Sequence, residues 1–171
     1  MTELTDDELV KMALKAGVQE AKVIDPKTVV AAEWVRLKCQ FGCDGYGKCL
    51  TCPPNSPTPA DTRAVLAWYH RAVLVHNHGE RWTSVKDAVA RLEREYFLAG
   101  YHKAFAMGSG PCHLCDECDP EEGCRHAELA RPAMEACGID VFTTARANGF
   151  TIETLKDPRQ TPDFFGLVLV E

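Results

Sequence analysis

Eight of the nine cysteines fall into two short sets: Cys39, Cys43, Cys49 and Cys52, spaced C-x3-C-x5-C-x2-C, and Cys112, Cys115, Cys118 and Cys124, spaced C-x2-C-x2-C-x5-C. A long cysteine-free stretch separates them. Thiolates at two-residue gaps can converge on one soft metal centre while backbone N–H groups turn inward toward the sulfurs. Two metal sites follow, one per set.

The spacing bears on which metal. A structural zinc site takes four ligands in a tetrahedron, usually from two separated C-x2-C pairs. The second set instead runs three cysteines in a row at two-residue gaps, the pattern by which bacterial ferredoxins hold three corners of a [4Fe–4S] cube, with the fourth ligand often coming from elsewhere in the chain. Cys52-Pro53 resembles that remote Cys-Pro ligand. That scheme admits an exchange of ligands between the sets, with Cys52 serving the second cluster and Cys124 the first, although ligation within each set is simpler. The expectation is two [4Fe–4S] clusters; the alternative is two zinc ions. A third reading is that either metal only staples loops lacking a core of their own. Disulfides fit poorly with an odd number of cysteines and a reducing compartment.

Charged neighbours differ between the sets. Asp116, Glu117, Asp119, Glu121 and Glu122 surround the second, whereas Arg36, Lys38 and Lys48 flank the first. A thiolate-bound cluster is anionic, so carboxylates lower its potential and cations raise it, which makes the second centre the lower-potential one. The plainer reading of the acidic run is a solvated loop. His113 and His126 sit beside cluster cysteines as candidate hydrogen-bond donors to sulfur. His76 and His78, two residues apart at a strand end, share a face and suit a substrate or an extra metal; the plainer reading is a pair of sheet-edge histidines. Cys137 lies in neither set and reads as a buried free thiol. Trp34, Trp68 and Trp82 read as core or interface residues. No glycine-rich loop has the spacing of a dinucleotide or phosphate site.

Several elements must position these residues. Thr5 to Glu8 forms a capping box with Leu4 and Leu9 as a hydrophobic staple, opening a helix that ends at Gly17. Ala21–Ile24 reads as a strand, and Glu33–Lys38 alternates toward Cys39 as another. The first cysteine loop, 39–59, is irregular, and Asp61 caps a helix through His70. Ala72–His76 reads as a buried strand. Ser84 to Asp87 opens the clearest helix, whose stripe of Val85, Ala88, Val89, Leu92, Tyr96 and Ala99 ends near Gly100 and reads as ordinary core. Ala104–Met107 is a strand leading into the second loop, 108–126. A helical stretch over 127–136 carries Pro132, a short helix spans 141–147, and Phe165–Val170 closes the chain as a strand. The fold class is therefore α/β: a single compact domain over residues 1–171, an α/β sandwich with both metal-binding loops just past strand ends, where open sheets place functional loops.

Composition narrows the function classes. Apolar residues make up 46% and charged residues 26%, ordinary for a globular chain. A net charge of −6 argues against nucleic acid. The acidic start lacks an apolar signal region and no stretch approaches membrane-spanning length, so a cytoplasmic protein is expected.

Longer motifs carry a resemblance. Trp34-Val35-Arg36-Leu37-Lys38-Cys39, Tyr46-Gly47-Lys48, Cys52-Pro53-Pro54-Asn55-Ser56-Pro57-Thr58-Pro59, Gly110-Pro111-Cys112 with Cys115 and Cys118, Cys124-Arg125-His126 and Arg131 to Val141 run in order along the chain. Together they resemble a family of small, cysteine-rich, predicted metal-binding proteins of unknown function found largely in anaerobic bacteria and archaea. The resemblance implies metal binding through the eight cysteines in an anaerobe-type cytoplasm and supplies no reaction. Ala127 departs from the proline expected after Cys-Arg-His, which loosens a turn and removes no ligand. Three functions are weighed: electron transfer to a redox partner protein; an enzyme whose cluster keeps an open position for a small substrate near His76, His78 or Arg125; and a zinc-stapled binding module.

Overall fold

The structure, a computed structural model, describes residues 3–79 and 81–171. The first helix, α1 (Asp6–Lys15), starts at the expected capping box, with both Thr5–Glu8 bonds formed and Leu9 and Ala13 buried. Strand β1 (Glu20–Ile24) follows and a 3-10 turn at Pro26–Thr28 leads to α2 (Glu33–Gly42). Then come α3 (Pro59–Leu66), β2 (Ala72–His78), α4 (Trp82–Leu98), β3 (Phe105–Met107), α5 (Val141–Ala147) and β4 (Asp163–Leu169).

The four strands form one sheet in the order β1-β2-β4-β3, and every pairing is antiparallel. The expectation of an α/β fold holds for its composition of helices on a sheet, but the arrangement is not that of an open doubly wound sheet. Both faces are buried, so the central strands read as continuous apolar runs rather than alternating ones. Val73, Val75 and Val168 face α1 and α4, packing on Leu9, Val85, Val89, Leu92 and Tyr96. Ala72, Leu74, Leu167 and Leu169 face a second core with Met134, Cys137, Ile139 and Ile152. Each such large aliphatic side chain contributes about 1.5–3 kcal/mol by leaving water. Gly166 lets α4 lie close on the sheet: a Cβ there would stand 2.8 Å from Val89 Cγ1.

Several expected elements differ. Residues 33–38 are the first turns of α2, not a strand; Glu, Arg, Leu, Lys and Gln favour helix, and the nearest sheet-like pairing is an isolated bridge between Ala31 and Ile139. The cap of α3 is Thr58, with Pro59 first in the helix and Asp61 closing the capping box, and the helix stops at Leu66 rather than His70. No helix spans 127–136. Pro132 cannot donate, and the segment instead runs beside the end of β3, with Gly108 N–H donating to Pro132 O and Met134 N–H to Gly108 O, before a 3-10 turn at Glu135–Cys137. Among the described residues no helix is long and apolar enough to cross a membrane.

Candidate metal centre

The first cysteine loop hangs from the end of α2. Cys39 lies within that helix, not past a strand, and Cys43 caps its end in extended backbone. Arg36, three residues before Cys39, reaches under the loop: its Nη1 donates to Pro57 O at 2.7 Å and Ala136 O at 3.0 Å. Ser56 Oγ donates to the same Ala136 carbonyl at 2.6 Å. The return of the chain is tied by Gly47 N–H donating to Pro53 O at 2.7 Å and by Cys52 N–H donating to Cys49 O at 3.2 Å. A lysine would not reproduce the role of Arg36, because one planar guanidinium serves several carbonyls at once.

Those turns divide the set. Cys39, Cys43 and Cys52 line a cleft of about 710 Å³ between α2 and the 133–142 segment. Gly45 lies between them: a Cβ there would stand in ordinary contact with Cys52 Sγ at 3.5 Å and Cys43 Sγ at 3.6 Å. Cys49 lines the adjoining cleft of about 440 Å³ together with Cys112, Cys115, Cys118 and Cys124. Cys52 lines the cleft of the first set and Cys124 that of the second, while Cys49 lines the second cleft and its thiol is hydrogen-bonded to Cys52.

Helix α4, which reads from the sequence as plain core, mounts the second loop. Asp87 pairs with His113 Nε2 at 3.1 Å, and Glu93 holds Arg131 by contacts of 2.5 and 2.6 Å while accepting from Ala106 N–H at 2.7 Å. The Arg131–Glu93 pair is mostly buried, so removing one partner leaves a charge stranded. Gly110, at φ +66°, lays the chain over the Trp82 ring, where a Cβ would come within 2.7 Å. Trp82 is thus the floor of the turn into Cys112.

Lys86 is the residue the sequence reading missed. It is 3% exposed, and its Nζ donates to Gly110 O at 3.0 Å and Arg131 O at 2.9 Å. Among the described residues no carboxylate forms a salt bridge with it. Burial lowers its pKa, while Cys112, Cys52 and Glu135 pull it back up. One signal was available: a lysine beside Val85 and one turn before Val89 and Ala90 stands at the edge of the apolar stripe.

Three of the sulfurs, Cys39, Cys49 and Cys52, have raised pKa values in the metal-free chain. Burial, then the neighbouring Cys52, Cys118 and Cys112, pushes Cys49 up to about 11. Burial also raises Cys39 and Cys52, with the Cys43 sulfur adding to both effects and Lys86 opposing the rise at Cys52. Glu135 is open to water at the cleft mouth yet surrounded by protein on most sides, which raises its carboxyl. A metal relieves these penalties by taking the thiolates' charge, at the cost of released protons.

The donor set fits a thiolate-held metal group. Eight soft sulfurs face two adjoining clefts, a buried ammonium without a carboxylate partner stands behind both, and Thr51 Oγ1 is buried beside Cys52 with no hydrogen-bond partner of good geometry. Among the described residues no three histidine, cysteine, aspartate or glutamate side chains converge tightly enough to hold a single ion as they stand.

Other sequence candidates fall elsewhere. His76 is buried, with Nδ1 at 2.8 Å from Glu20 Oε2 and Nε2 at 2.8 Å from Asp163 Oδ1, and it stacks on Phe165. His78 Nδ1 shares the same Asp163 oxygen at 2.8 Å. The pair staples β1, β2 and β4 at one end of the sheet. His113 Nδ1 is buried without a partner, and among the described residues it makes no hydrogen bond to sulfur; His126 lines the second cleft. Arg125 donates to Glu117 O at 2.7 Å and also lines that cleft, as does Lys48, expected beside the first set. Cys137 is 1% exposed, with its thiol pushed up to about 12 by burial, the buried free thiol that was expected. Trp34 and Trp68 are exposed.

A family model described as "Predicted metal-binding protein (DUF2284)" matches residues 22–170. No curated protein and no solved structure matches the chain.

Proposed function

The chain belongs to the DUF2284 family of predicted metal-binding proteins, and from that premise we propose that it is an iron–sulfur protein with two [4Fe–4S] sites, one in each cleft, that exchanges single electrons with a partner protein. The observation that carries this reading is the division of the eight sulfurs between two adjoining clefts that meet at Cys49 and Cys52. Three sulfurs at two-residue gaps, Cys112, Cys115 and Cys118, hold three corners of one centre, and Cys49 or Cys124 supplies the fourth. Cys39, Cys43 and Cys52 hold the other. A bound cluster of this type accepts and returns one electron.

The protein side of the exchange is electrostatic. Asp116, Glu117, Asp119 and Glu122 rim the second cleft on its open side, and Cys124 is exposed beside them. That rim suits a partner with a basic face, since charge complementarity speeds encounter more than it tightens binding. Lys86, held in place by the Gly110 and Arg131 carbonyls, stabilises the added negative charge from behind.

Protein purified without oxygen tests the reading. About eight iron and eight acid-labile sulfide per chain, with an EPR signal on dithionite reduction, are expected, because each cube contributes four of each. Two zinc ions without sulfide would overturn it in favour of a stapled module.

A further inference from the structure

We propose that Cys49 and Cys52 are a thiol–disulfide exchange site in the metal-free chain, a dithiol that closes against a small-molecule disulfide and thereby takes one sulfur from each cleft. The exchange stands on the pair alone; its consequence for loading rests on the reading of the clefts as metal sites. The two side chains already meet, the Cys49 thiol being hydrogen-bonded to Cys52. The backbone between them is a turn, with Cys52 N–H donating to Cys49 O at 3.2 Å. Such a turn keeps its outer Cα atoms within about 7 Å, close to the ~4.4–6.8 Å that a disulfide spans. Asn55 fixes both ends, its Nδ2 donating to Cys49 O at 3.2 Å and its N–H to Cys52 O at 2.9 Å.

Access and charge set the order of steps. Cys49 is half-buried and lines the second cleft, whereas Cys52 is 7% exposed, so an incoming disulfide reaches Cys49 first. Cys49 gives its proton to solvent and attacks one sulfur of the reagent; the reagent S–S bond breaks, a mixed disulfide forms on Cys49, and one thiolate leaves. Cys52, whose thiolate Lys86 favours, then loses its proton, attacks Cys49 Sγ and expels the second thiolate. The two cysteines lose two electrons and two protons, and the reagent leaves as two thiols. The first cleft is left with Cys39 and Cys43, while the second keeps Cys112, Cys115, Cys118 and Cys124.

The reduced, metal-free chain is treated without oxygen with one equivalent of hydroxyethyl disulfide at mildly alkaline pH, then alkylated and cut with trypsin. Cleavage after Lys48 and Arg63 gives a peptide, 49–63, that holds Cys49 and Cys52 and no other cysteine. That peptide is expected to escape alkylation, lighter by two hydrogens, about tenfold or more in excess of any other linkage. Cys112, Cys115 and Cys118 have the same two-residue gaps, so preference over them reads the fold rather than the spacing, and urea is expected to abolish it. Linkage of Cys49 to Cys112 or Cys118, which also face it, or an even spread over all the cysteines, would overturn the exchange site. Cobalt(II), added without thiol, reads the consequence through its thiolate absorption: the linked chain is expected to lose about half the band of the reduced chain, since one cleft keeps too few sulfurs. An undiminished band in the linked chain would overturn the loss of a donor. No band in either form, with the 49–52 link present, would overturn the metal reading and leave the exchange site standing.

Discussion

Replacing Lys86 by methionine separates a structural lysine from one that serves the metal. The ammonium is buried, held by the carbonyls of Gly110 and Arg131, and faced by Cys112 from one cleft and Cys52 from the other. In the metal-free chain the substitution removes an uncompensated charge and two hydrogen bonds, terms of opposite sign of about 1–3 kcal/mol each, so stability against denaturant changes little or rises. With metal bound, the same substitution removes the counter-charge of an anionic centre. At roughly 7 Å and an effective dielectric near 20, a unit charge contributes about 2 kcal/mol, or about 100 mV for a one-electron couple. Reduction adds negative charge, so loss of the cation makes reduction harder and the potential falls. Redox titration followed by EPR reads the shift, and denaturation with and without metal reads the sign change in stability. An unchanged potential together with a metal-free protein destabilised by several kcal/mol would refute the reasoning and make Lys86 a clamp for the Gly110 turn alone.

Three further outcomes are expected. Cys49→Ser should perturb the spectrum of the centre that Cys118→Ser abolishes and spare the centre that Cys39→Ser abolishes; the reverse pattern would restore ligation within each set. Asp163→Asn should cost about 2 kcal/mol near neutral pH, seen in urea unfolding, because its carboxylate accepts from His76 and His78. Burial alone would raise the Asp163 pKa, but those two hydrogen bonds hold it below the usual carboxylate value, so its contribution is present above about pH 3.9 and disappears as the pH falls through the lower folded value; a wild-type advantage that grew below pH 4 would contradict this. Gly138→Ala should cost about 3 kcal/mol in thermal unfolding, from a φ of +77° and a Cβ only 2.4 Å from Pro59 Cγ.

What the sequence shows of this molecule is what local chemistry determines. The capping box at Thr5, the stripe of α4 and the apolar runs of β2 and β4 all appear as read, since periodicity and capping act within a few residues. The residues 33–38 were misread because short alternation cannot be told from one helical turn, and the chain there has no neighbouring strand to accept it. The antiparallel order was out of reach because nothing in a strand states its partner. The candidate metal donors are legible as residue types and spacing, yet their distribution between the clefts is not. Which way Cys49 faces depends on the Gly47–Pro53 tie and on the Arg36 bonds to Pro57 and Ala136, made between residues 21 and 100 positions apart.

That dependence has a consequence for how the two clefts communicate. The segment from Arg131 to Gly138 touches both: Arg131 is locked to Glu93 behind the second loop, and Ala136 accepts from Arg36 and Ser56 beneath the first. Between them Met134 N–H donates to Gly108 O at the start of the second cysteine loop, and Cys39 Sγ lies 3.9 Å from Glu135 O. A shift of this strip would therefore move the mount of the second loop, and Lys86, bonded to Arg131 O, with it. The electrostatic environment of both clefts would then change together, because one buried cation faces a sulfur in each. Coupling of this kind needs no distant relay; the two sites share a wall, one end of which is tied to a lysine and the other to an arginine.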